Sequence, residues 1–141
     1  MRKTFLCLVM LCAACCMVHA QDIKDGSHRS IGRVESDGTV KNSSYSTIGH
    51  IKSDGTVQDG NYHTVGYIKN DGTIQDGNYH SIGYVKSDGT VQNGSYSTIG
   101  HIKKDGTIQD SNYHTIGYAK DVKATHAALL FFFKLLKLSP Q

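Results

Sequence analysis

Tryptophan is absent, proline occurs once, at Pro140, and the four cysteines are confined to the first 16 residues as Cys7, Cys12, Cys15 and Cys16. The same stretch sets Arg2 and Lys3 before an apolar run from Phe5 to Val18, and Val18 and Ala20 stand where a signal peptidase requires small residues. Residues 1–20 therefore read as a bacterial-type secretory leader, with Gln21 as the mature N-terminus. Roughly 14 apolar residues are too few to cross a ~30 Å hydrocarbon core, which argues against an anchor. Cleavage removes every thiol, and with it disulfides, thiolate catalysis and cysteine-ligated zinc. The alternative is lipoprotein processing at Cys15 or Cys16, although Cys12 stands where a lipobox carries leucine. Either route exports the chain to the periplasm, outer envelope or extracellular space.

An excess of charge is also missing. Without Arg2 and Lys3 the 15 basic residues fall to 13, against 12 acidic ones. No basic patch interrupts this balance, so nucleic acid is set aside as a partner. The 121 residues left after the leader make one domain, and with about four apolar residues in every 17 its core has to be thin and shared.

The chain is instead rich in repetition. A 17-residue unit recurs five times from Ile31 to Thr115, starting at Ile31, Ile48, Val65, Ile82 and Ile99. Each unit carries an Asp-Gly-Thr turn, at Asp37, Asp54, Asp71, Asp88 and Asp105. A second turn follows at Asp25, Asn42, Asp59, Asp76, Asn93 and Asp110. Between them lie a longer β-prone run, such as Tyr62 to Lys69, and a shorter one, such as Thr73 to Gln75. Glycine and β-branched residues dominate and no 3.6-residue period appears, so each unit reads as a β-hairpin. An invariant mid-strand glycine, Gly32, Gly49, Gly66, Gly83, Gly100 and Gly117, marks a bulge or a close approach of another backbone.

The ends of the array favour a closed, propeller-like ring over an open solenoid. It begins with a lone short strand at Ile23-Lys24 and ends with a lone long strand from His114 to Lys120, two halves that can pair and abolish exposed sheet edges. The expected class is all-β, with the hairpin domain over 21–121 and an apolar tail over 122–141. The run from Tyr62 to Asp76, repeated from Tyr79 to Asn93, resembles the small secreted bacterial repeat proteins described as five-fold β-flower proteins, as does the Phe-rich tail from Ala127 to Leu138. The resemblance implies a ring of β-hairpins and brings no active-site residues. The first copy departs most, with Arg33, Glu35, Lys41 and Ser44, and is expected to be the least regular. Stretches such as Tyr45 to His50 recur 51 residues later, at Tyr96 to His101, as though three units had been copied as a block.

Chemistry is sparse. His63, His80 and His114 share one column, interrupted by Ser46 and Ser97, and metals need ligands converging on one point, so neither a metal nor another cofactor is assigned. One carboxylate per Asp-Gly-Thr turn is meagre for calcium, and the aspartates are read as turn formers. The invariant column Tyr45, Tyr62, Tyr79, Tyr96 and Tyr113 is read as core packing. The variable column, His50, Tyr67, Tyr84, His101 and Tyr118, is the candidate ligand-binding surface, with stacking on sugars as its natural use. No phosphate-cradling loop or unrepeated catalytic grouping is present, so no enzyme is expected. The tail from Ala124 to Leu138 should be helical and must bury its apolar surface. Phe131, Phe132 and Phe133 are its candidate interaction surface, for self-association or a membrane, against the alternative of a lid on the ring. The functional expectation is an exported binding or structural module, with carbohydrate binding or envelope assembly as alternatives.

Overall fold

A computed structural model describes residues 21–138; the expected leader and Pro140 lie outside the described residues. The short strands are β1 (Gln21–Asp25), β3 (Thr39–Asn42), β5 (Thr56–Asp59), β7 (Thr73–Asp76), β9 (Thr90–Asn93) and β11 (Thr107–Asp110). They alternate with the longer β2 (Ser30–Val34), β4 (Thr47–Ile51), β6 (Thr64–Ile68), β8 (Ser81–Val85), β10 (Thr98–Ile102) and β12 (Thr115–Tyr118). Each strand is antiparallel to its neighbours. β1 pairs with β12 through Lys24 opposite Tyr118 and Asp25 opposite Gly117, which closes a barrel of twelve strands. The two terminal halves thus make a sixth hairpin, and no open edge remains among the described strands.

Both mouths of the barrel use one kind of turn. At Lys52–Thr56 the Lys52 N–H donates to the Thr56 carbonyl and the Gly55 N–H to the Lys52 carbonyl. Asp59–His63 repeats this, with Tyr62 in the place of Gly55. The fourth residue of such a loop takes a left-handed backbone. It is glycine at one mouth, with φ from 91° to 94°, and at the other it is Tyr45, Tyr62, Tyr79, Tyr96, Tyr113 or His28, with φ from 65° to 69°. Tyr62 and His63 therefore belong to a turn, and β6 starts at Thr64 rather than at Tyr62.

Three positions per hairpin face inward. Ile23, Val40, Val57, Ile74, Val91 and Ile108 are completely buried; Val34, Ile51, Val85, Ile102 and Ala119 are buried beside them. The third position is the invariant glycine. A bulge does occur there, since Val40 faces Gly49 and Lys41 faces Thr47, skipping Ile48. The close neighbour, however, is the tail. Phe131 lies over Gly117, Phe132 over Gly100, Phe133 over Gly83, Leu135 over Gly66, Leu136 over Gly49 and Leu138 over Gly32. A Cβ at any of the six would come within 3.0 Å of that side chain and of a carbonyl on the adjoining strand.

The tail is α-helical over α1 (Ala124–Ala128) and π-helical over Leu129–Phe133, and Lys134 ends the helix in a left-handed conformation with φ 52°. Two five-residue helical stretches span about 15 Å, close to the roughly 16 Å of a five-residue strand. The segment accordingly runs through the barrel. Thr125 and His126 stand beside Gly38 and Gly55 at the Asp-Gly-Thr mouth, Leu129 is fully buried, and the six bulky side chains fan out at the glycine layer near the other mouth. Helix was expected as far as Leu138; it stops at Phe133 because the last three plug residues must reach glycines around the ring. Phe131, Phe132 and Phe133 are half-buried within this plug, so the expected free interaction surface is corrected to a core element.

Candidate functional site

The outer wall carries six stacked pairs. Each left-handed turn residue folds back on the side chain twelve positions earlier: His50–Tyr62, Tyr67–Tyr79, Tyr84–Tyr96 and His101–Tyr113 stack with ring centroids 4.5 to 4.7 Å apart and planes within 11°. Arg33 lies over Tyr45 at 4.6 Å. The last pair forms across the closure, His28 on Tyr118 at 4.2 Å. Pairs three hairpins apart stand opposite each other in a ring of six, so the block of three units repeated in the sequence places His50–Tyr62 and His101–Tyr113 on opposite sides.

The variable column is half-buried as the inner layer of this belt. The tyrosines read as core packing form its outer layer: Tyr45, Tyr62, Tyr79, Tyr96 and Tyr113 are 63–66% exposed. That reading is corrected, because their left-handed turn points them along the outside wall, with one ring face on the partner and the other open. The sequence held a signal for it. Both turns share one backbone pattern, and an aromatic residue occupies a place that glycine fills elsewhere.

Asx turns hold the belt in position. The Asp59 Oδ1 accepts the Asn61 N–H at 2.9 Å and the His63 N–H at 3.0 Å, and Asp76 and Asp110 do the same in their turns. The backbone N–H of His63 is the largest cause holding the Asp59 carboxyl below its ordinary range, and His80 and His114 act likewise on Asp76 and Asp110. Turn aspartates are matched to basic residues four positions on: His63, His80 and His114 place Nδ1 3.4 to 3.5 Å from the carboxylate, and Arg29 places Nε 3.2 Å from Asp25. Where the turn has Asn42 or Asn93, serine follows at Ser46 or Ser97. The Tyr79 hydroxyl accepts from Tyr67 at 3.0 Å, which raises the Tyr67 phenol above its ordinary range. His50 Nε2 is shielded beneath Tyr62 and has no hydrogen-bond partner.

The first unit, expected to be the least regular, keeps the common register. Its exchanges compensate one another: Arg33 supplies a cation for Tyr45, and Lys41 pairs with Glu35 at 3.1 Å. Among the described residues no three histidine, cysteine or acidic side chains gather around a point that could hold a metal.

A family model described as 5-fold beta-flower protein matches residues 20–135. The chain belongs to the β-flower family. No curated protein and no solved structure matches it. In this β-flower the petals number six, one for each bulky side chain of the plug.

Proposed function

We propose that this β-flower is an exported, non-catalytic, polyvalent binding module that takes carbohydrate on its belt of stacked aromatics. The carrying observation is that the left-handed turn position at one mouth of the barrel holds an aromatic ring in each of the six hairpins, and the five tyrosines among them are about two-thirds exposed. A left-handed backbone costs a side-chain-bearing residue roughly 1–2 kcal/mol. An aromatic pair returns about 0.5–1.5 kcal/mol. The two nearly cancel, so stability gives little reason to keep tyrosine where asparagine would sit more easily, and the open ring face supplies one. Flat rings flanked by Asn61, Asn78, Asn112 and the turn carboxylates offer stacking and hydrogen bonding together. Repetition around the ring turns weak single contacts into avidity for a polymer.

Titration of soluble polysaccharides tests this reading. Tyr62→Asn combined with Tyr79→Asn should lower affinity about tenfold or more while leaving the melting temperature level or raised. Unchanged binding, or a clear loss of stability with no ligand found, would make the belt structural. Export is tested by the N-terminal sequence of the protein recovered outside the cytoplasm, expected to begin at Gln21.

A further inference from the structure

The helix makes one part of a repeating mouth unlike the rest. At the Asp-Gly-Thr mouth Gly72, Gly89 and Gly106 are buried, whereas Gly38 and Gly55, at the same place in the repeat, are half-buried. In the inward column only Ile68 is partly exposed, Val34, Ile51, Val85 and Ile102 all being buried. The cause is α1, which packs towards β8 and β10 and leaves the β2-to-β6 side of the mouth uncovered. A cavity of about 520 Å³ remains there, within the roughly 300–1,000 Å³ of small-molecule sites. The hollow on the other flank of the helix measures about 210 Å³.

This cavity has an apolar floor and a charged rim. Val34, Ile51 and Ile68 form the floor, and His126 stands in the wall. Burial, with Lys123 nearby, holds the His126 imidazole down to about 4, so near neutrality it is an uncharged hydrogen-bonding group. Lys52, Lys69 and Lys123 line the rim and are exposed. One of the lining acids is neutralised, Glu35 being paired with Lys41 at 3.1 Å, whereas Asp37 keeps its charge, its Oδ1 accepting only the Thr39 backbone N–H at 2.9 Å. That leaves Asp37 and Asp121 against three ammonium groups.

We propose that this cavity is a binding site for a small amphipathic carboxylate, its chain on the Val34–Ile51–Ile68 floor and its anionic end towards Lys52, Lys69 and Lys123. The site is separate from the aromatic belt, and neither proposal depends on the other. A repeat protein gains a unique site only where its symmetry is broken, and the helix breaks it here.

Isothermal titration of the full-length protein with octanoate and decanoate tests the assignment. Saturable binding at one site per chain is expected. Ile68→Trp, which fills the floor, should weaken it about tenfold or more. Lys69→Glu should weaken it several-fold, whereas Lys86→Glu, at the equivalent position on the covered flank, should leave it unchanged. If Ile68→Trp does not fold, the exposed Lys69→Glu and Lys86→Glu pair decides. Equal weakening by both lysine variants would show general charge attraction and overturn the proposal, as would the absence of binding by either carboxylate.

Discussion

Gly83 and Gly94 belong to the same repeat unit and have opposite tolerances. A Cβ at Gly83 would collide with the Phe133 ring and lie 2.6 Å from the Gln92 carbonyl, two rigid neighbours. Gly83→Ala should therefore cost about 1–3 kcal/mol through forced displacement. At Gly94 the nearest atom to such a Cβ is the Ser81 carbonyl at 3.1 Å, in an exposed turn, and Gly94→Ala should fall within about 0.5 kcal/mol of the parent. Denaturant unfolding of the two variants measures the difference. Acid sensitivity is also set by single residues. Asp25, Asp37, Asp54, Asp59, Asp71, Asp76, Asp88, Asp105 and Asp110 all have carboxyls lowered chiefly by backbone N–H donors. A lowered folded value favours the folded state above the unfolded value of about 3.9, and this stability is lost as pH falls through the folded values. His126, at about 4 when folded and about 6.5 when unfolded, has the same sign over a higher window. Its contribution is complete above about 6.5 and is lost by about 4. The melting temperature should thus decline gently from pH 6.5 to 4 and steeply below. His126→Gln should flatten the first phase and leave the second, which circular dichroism melts across that range will show.

The tail is the element whose removal should matter most. The tail fills the barrel layer lined by six glycines, where Leu136 and Leu138 are buried, and its Leu129 and Leu130 are buried elsewhere in the core. A chain stopping at Asp121 should therefore lose cooperative folding rather than yield a folded monomer, with no sharp thermal transition by calorimetry. Phe132→Ala, which empties one half-buried socket over Gly100, should cost about 2–4 kcal/mol. The length and composition of this tail were legible, including its need to bury an apolar surface. Its destination was not, because a helix over a ring end and a helix through a ring share the same amphipathic pattern. The glycine column gave half of the answer: it marked a close approach, and only the folded chain showed that the visitor is a side chain from the tail rather than another hairpin.

At the scale of the whole molecule, ring size and plug are matched petal for petal. Deleting one unit, residues 65–81, would leave five hairpins around a plug of six bulky side chains, and overpacking should lower the melting temperature sharply. Removing Leu138 and the residues beyond it from that shortened chain should recover part of the loss, since five bulky side chains would then face the five remaining glycines. If the deletion alone melts like the parent, the plug does not count petals. The 17-residue period, the turn chemistry and the complementary half-units determined the hairpins and their closure, because turns and alternating strands are local and a missing half at each end has one partner available. Tertiary structure alone decided where the helix breaks the symmetry of one mouth. That outcome depends on the direction a single tail takes through six nearly equivalent hairpins, which no one unit of the repeat encodes.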